Sequence, residues 1–109
     1  FRTRVLDLRM MGYRLVGGRA HRIGGRPSAF FVYRGEGNKI VVCQMYPGPI
    51  GELPSNAQTL EANGITFHVV KRRGETMVFW QEGDVACVLA SDIPSEEVVA
   101  LAVAKAMKA

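Results

Sequence analysis

No stretch of this chain holds about 18 consecutive apolar residues, the length a helix needs to cross a bilayer, so the sequence contains no transmembrane helix. It has no GxxxxGK[ST] motif. The glycine pairs Gly17-Gly18 and Gly24-Gly25 do not open a helical pattern, so no phosphate-binding loop is present. Cysteine is scarce: Cys43 and Cys87 have no CxxC spacing and no paired histidines near them, which speaks against a structural zinc site. Histidine is equally scarce. His21 lies in a turn-rich basic stretch, and His68 lies in mid-strand on the face of Thr66 and Val70, where a lone histidine is ordinarily a half-exposed packing residue. The carboxylates, from Asp7 and Glu36 to Glu96 and Glu97, fall almost entirely at turns and at a helix start, a solvated distribution with no buried dyad. With no nucleophile, base or carboxylate pair given a meeting place, the sequence reads as non-enzymatic, with no metal and no cofactor of its own.

What is present is ordinary for a packed domain. The 109 residues fit one domain, and 48% hydrophobic with 22% charged residues speak against disorder. Twelve glycines between apolar runs favour short strands and tight turns over a helical bundle. The net charge of +4 bears on solubility and weak anion attraction, not on fold. The chain begins at Phe1 rather than Met, which reads as a portion of a longer protein.

The stretch from Ile65 to Asp92 organises the rest. Ile65, Phe67 and Val69 alternate with Thr66, His68 and Val70, the period of a strand. Arg73-Gly74-Glu75 and Glu82-Gly83-Asp84 supply turns, so a three-stranded meander is predicted. Its middle strand, Met77-Val78-Phe79-Trp80, is apolar on both faces and is expected to be central and covered on both sides, with Trp80, Phe79 and Phe67 in the core. Upstream, residues 1–11 read as a short helix or an edge strand ended by Gly12. Tyr13–Ile23 reads as a strand with a bulge at Gly17-Gly18, and Ser28–Arg34 and Lys39–Tyr46 as a hairpin. Three prolines break residues 47–54, residues 55–63 suggest one loose helical turn, and the whole connection 47–64 is the expected place for mobility and partner contacts. Pro94, Ser95, Glu96 and Glu97 mark the start of a C-terminal helix that carries Val98, Leu101 and Ala102 on an apolar face, with Lys105 and Lys108 in its last turn. The predicted architecture is α+β: a mostly antiparallel sheet of about six strands with the helix packed on one face.

Three features leave alternatives open. Cys43 and Cys87 fit two buried thiols, or a single inter-strand disulfide in an oxidising compartment. The basic groups Arg19/His21/Arg22/Arg26 and Lys71-Arg72-Arg73 fit strand edges and hairpin tips that resist aggregation, or an anionic partner. A nucleic-acid platform needs aromatics interleaved with the basic residues, and Phe30, Phe31, Phe67, Phe79 and Trp80 lie on strands that read as core, so no nucleic-acid partner is expected.

Three segments, GYRLVGGR (12–19), SAFFVYRGEGNKIVV (28–42) and MVFWQEGDVACVLASDIPSEEVVALAVAKA (77–106), resemble in order and spacing the C-terminal extracytoplasmic domain of bacterial transmembrane anti-sigma factors of the zinc-binding group. Trp80, Gly83 and Ser95–Ala104 match best, and Cys87 departs, standing where that group more often has an aromatic. The resemblance implies a single periplasmic sensor or regulatory domain (1–109) on a single-pass protein of the inner membrane. Its absent cytoplasmic half would bind an extracytoplasmic-function sigma factor. A regulatory protease or another periplasmic protein is the further partner implied, and the meander with the 47–64 connection offers a surface for a homodimer. The alternative is a general periplasmic protein-interaction or ligand-binding module.

Overall fold

The computed structural model describes residues 8–23 and 25–107. Seven strands form one antiparallel sheet: β1 (Tyr13–Ile23), β2 (Arg26–Gly35), β3 (Ile40–Pro47), β4 (Gln58–Ala62), β5 (Ile65–Arg72), β6 (Glu75–Glu82) and β7 (Val85–Ser91). The helix α1 spans Ser95–Met107. The expected α+β architecture is present, with seven strands rather than about six. The order β1-β2-β3-β7-β6-β5-β4 describes two meanders, β1–β3 and β4–β7, joined side by side through β3 and β7.

The additional strand is β4. Residues 58–62, expected within a loose helical turn, pair with β5 from Gln58 opposite Val69 to Ala62 opposite Ile65. Asn63 and Gly64 both have positive φ, 52° and 77°, the conformation of a two-residue hairpin turn whose twist matches the flanking strands. The same device recurs at Arg73-Gly74. At the other end, Arg9–Met11 forms a single 3₁₀ turn closed by Gly12 in the left-handed region. The first seven residues of the expected N-terminal element, and Lys108, lie outside the described residues.

Register fixes which side chains share a face. The rows Ala29–Met45–Cys87–Trp80, Phe31–Cys43–Leu89–Val78 and Tyr33–Val41–Ser91–Thr76 run across four strands, and every member is buried. Across β6 and β7 this face is covered by α1, which presents Val98, Leu101, Ala102, Lys105 and Ala106 at helical spacing. The Pro94 carbonyl accepts the first helical hydrogen bonds, from the Glu97 and Val98 amides. Lys39 reaches Glu97 at 3.3 Å from the start of β3; the pair is half-exposed and contributes at most about 1 kcal/mol.

The opposite face corrects the expectation of a sheet covered on both sides at its centre. Phe30, Gln44, Phe79 and His68, with Val32, Val42, Ala90 and Met77, are half-buried, and among the described residues no element lies over them. Trp80 and Val78 are fully buried under the helix, while their neighbours Phe79 and Met77 point to this open side.

Two glycines are required by aromatic rings. Tyr13 pairs with Gly35 and Phe31 with Gly18. A Cβ on Gly35 would stand 2.6 Å from the Tyr13 ring, and one on Gly18 would stand 2.9 Å from the Phe31 ring. Rings laid over bare backbone keep the otherwise exposed β1 in register with β2.

Candidate functional site

The first residues of the long connection are hydrogen-bonded to the sheet. Gly48 donates to the Asp84 carbonyl, and Gln81 receives the Ile50 amide at 3.1 Å while donating to the Gly48 carbonyl at 2.9 Å. Tyr46 donates its hydroxyl to the Ile50 carbonyl at 3.1 Å, and burial raises its pKa, with Cys87 adding to the effect. The first part of the connection is therefore anchored to the β6–β7 turn.

Beneath the helix, Trp80 forms the centre of the core. Its ring lies 5.7 Å from Phe67 at a 48° tilt, and its indole N–H donates to Glu82 at 2.7 Å. The sequence places Lys105 in the last turn of the helix, where a cation complements the dipole. It is fully buried, with Nζ 5.7 Å from the centre of the Trp80 ring and no hydrogen-bond partner among the described residues. An unpartnered buried polar group costs about 1–3 kcal/mol, while a cation over an aromatic face returns about 0.5–2 kcal/mol. Lys105→Met, which keeps the packing and removes the charge, is expected to raise stability by about 1 kcal/mol, seen as a rise in Tm by calorimetry. A fall in Tm would mean that the ammonium is held by the ring more strongly than it is penalised.

Cys43 and Cys87 are buried thiols on adjacent strands and one face. Their direct cross-strand partners are Leu89 and Met45, so the two cysteines are diagonal neighbours. Diagonal side chains stand about 7–8 Å apart, beyond the reach of a disulfide without a shift in register. Both thiols are expected to resist Ellman's reagent in the folded protein and to react together on unfolding. Fewer than two thiols in denaturant would reinstate the disulfide.

The structure does not bring the histidines together. His21 packs edge-on against Phe30 at 5.7 Å on the β1–β2 hairpin, and His68 stands between Thr59 and Phe79 on β5. Among the described residues no cluster of three His, Cys, Asp or Glu side chains exists. The basic groups also separate. Arg19, His21, Arg22 and Arg26 occupy the far end of β1–β2, whereas Lys71, Arg72 and Arg73 surround the β5–β6 turn.

The surface best suited to a partner is the open sheet face. Phe30, Ile40, Val42, Met77, Val88 and Ala90 line a shallow concavity of about 430 Å³, with Gln44, Glu75 and Asp92 at its polar positions. The sequence pattern predicts cover on both sides for the Met77–Trp80 strand, which is apolar on both faces. Among the described residues one helix serves seven strands and lies on the other side of the sheet.

No family model and no curated protein matches the chain. Among solved structures it is similar to a GTP binding regulator from Thermotoga maritima, at 16% identity and a TM-score of 0.61, over 88% of this chain and 80% of that one. The likeness at that identity is one of fold: an antiparallel sheet closed by a C-terminal helix.

Proposed function

We propose that the chain is the extracytoplasmic regulatory domain of a membrane-anchored anti-sigma factor and acts without catalysis of its own. The observation that carries this reading is where the three resembling segments fall. Residues 12–19 lie in β1, 28–42 in β2 and β3, and 77–106 in β6, β7 and α1. In the sheet these strands are neighbours, β1-β2-β3-β7-β6, with the helix on the last two. The unmatched residues between these segments comprise the far end of the β1–β2 hairpin (20–27), the second part of β3 (43–47), the connection and the β4–β5 edge. The regulatory action then belongs to surfaces and not to a reaction centre. The sigma factor is engaged by the cytoplasmic half, and this domain offers its faces to a sensor ligand, a protease or another periplasmic protein.

The coding sequence upstream of Phe1 tests the reading. It is expected to hold an apolar run of about 20 residues preceded by a His-x3-Cys-x2-Cys pattern. A soluble domain directly upstream would remove it. A second reading, a free periplasmic interaction module, is favoured by the open apolar sheet face, and an upstream cleavable signal peptide without an anchor would select it. Self-association through that face would appear as concentration-dependent sedimentation.

A further inference from the structure

Charge is segregated along the chain. Residues 8–35 hold six arginines (Arg9, Arg14, Arg19, Arg22, Arg26 and Arg34) and no carboxylate, a formal charge of +6, whereas residues 36–109 sum to −3. The structure gathers the basic part into the 3₁₀ turn and the β1–β2 hairpin at one edge of the sheet. Within it, Arg14 and Arg34 are direct cross-strand partners. Like charges placed directly opposite one another destabilise a sheet. Both line one shallow concavity with Arg9, Gly12 and Gly35, and Glu36 is the one acidic residue in its wall. The same end of β1 also exposes apolar side chains, with Leu15 on the sheet face opposite to Arg14. Met10 is 88% exposed, and Met11, Leu15 and Val16 are 43%, 45% and 50% exposed. They are four of the five large hydrophobic side chains exposed among the described residues, and all fall within seven positions of the chain. Val16 sits at the β-bulge between Leu15 and Gly17, outside the regular pairing.

We infer that this corner, from Arg9 to Val16 with Arg34, docks on an anionic phospholipid bilayer. The guanidinium groups of Arg14 and Arg34 take headgroup phosphates, each charge-assisted contact offsetting the repulsion between the two. The Met10, Met11 and Val16 side chains at this edge enter the boundary between headgroups and acyl chains, where exposed apolar area and basic charge act together. Single-stranded nucleic acid would use exposed rings for stacking, and none of the large exposed side chains of this corner is aromatic. The rigid backing comes from Tyr13, whose buried ring lies over Gly35 and ties the two arginine-bearing strands together. The inference stands on the charge and exposure of this corner and needs nothing of the regulatory reading.

Cosedimentation of the 109-residue chain with vesicles tests it. Binding is expected to vesicles of equal phosphatidylcholine and phosphatidylglycerol, to weaken with added salt, and to be far lower on phosphatidylcholine alone. The Arg14→Gln/Arg34→Gln variant should bind about 25-fold more weakly, roughly fivefold for each basic residue near an anionic surface. Met10→Ser/Met11→Ser, which leaves the charge untouched, should weaken binding by a similar factor at every salt concentration. Lys71→Gln/Arg72→Gln, on the opposite part of the sheet, should bind as the parent chain does. Equal binding to both vesicle types would overturn the inference, as would a loss in the Lys71/Arg72 variant matching that of the Arg14/Arg34 variant. Displacement from the vesicles by an oligonucleotide at equal phosphate concentration would overturn it in favour of a nucleic-acid surface.

Discussion

Replacing Trp80 with alanine is expected to cost about 3–5 kcal/mol of folding stability, the usual range for deleting a buried aromatic side chain. Trp80 is fully buried at the meeting point of β6, the neighbouring β7 and the helix, and it is the only tryptophan in the chain. Three contacts end with it: the tilted packing on Phe67, the position beneath Lys105, and the indole hydrogen bond to Glu82. The surrounding strands are paired on both sides and cannot collapse into the cavity, which places the loss in the upper part of the range. Against a total of about 5–15 kcal/mol for a domain, the variant would be marginally folded. Trp80→Phe separates the terms. It keeps most of the ring volume and loses the N–H bond, for an expected cost of about 1–2 kcal/mol. Urea denaturation followed by far-UV circular dichroism measures both variants, since the change also removes the tryptophan fluorescence. A cost below about 1 kcal/mol for the alanine variant would mean that this ring is not the centre of the core.

Leu101→Ala is the second large effect, expected at about 2–5 kcal/mol. Leu101 is 1% exposed and is the one leucine on a helix whose buried face otherwise consists of Val98, Ala102, Lys105 and Ala106. Thirteen residues make too short a helix to persist alone, so its order depends on docking against β6 and β7. The loss should therefore be local first. Hydrogen exchange across 95–107 is expected to accelerate more than exchange in β3 and β7, which retain partners on both edges. Uniform acceleration throughout would show that helix and sheet open as one unit.

The β5–β7 meander was legible in the sequence because its turns carry glycine at the tips, its first strand alternates and the other two are short apolar runs. The hairpin of β2 and β3 and the terminal helix were legible for the same kind of reason: clear punctuation around apolar runs. Strand β4 was hidden. Its residues Gln58–Ala62 are nearly all exposed, so no buried alternation marks them, and pairing with β5 alone makes them a strand. The Asn63-Gly64 pair was the available signal, since that dipeptide between extended segments ordinarily closes a hairpin. The junction of β3 with β7 joins residues more than 35 positions apart and leaves no local mark. Lys105 read as a cation completing a helix C-terminus because its burial depends on where the Trp80 ring stands across the interface. The open sheet face was misread for a related reason. Met77 and Phe79 are as apolar as a covered position, and sequence pattern does not count the helices left to cover them. The charge segregation of residues 8–35, by contrast, was fully readable from composition by segment and is obscured only by the modest net charge of the whole.

The most direct test of the regulatory reading is the side of the membrane on which this domain sits. Alkaline phosphatase, which gains its disulfides and its activity only outside the cytoplasm, can be fused after Ala109 of the full-length protein in a bacterial cell. The reading predicts an active fusion in the membrane fraction, and an inactive one when the apolar segment expected upstream is deleted. An inactive phosphatase on the intact protein would place the domain in the cytoplasm and contradict it.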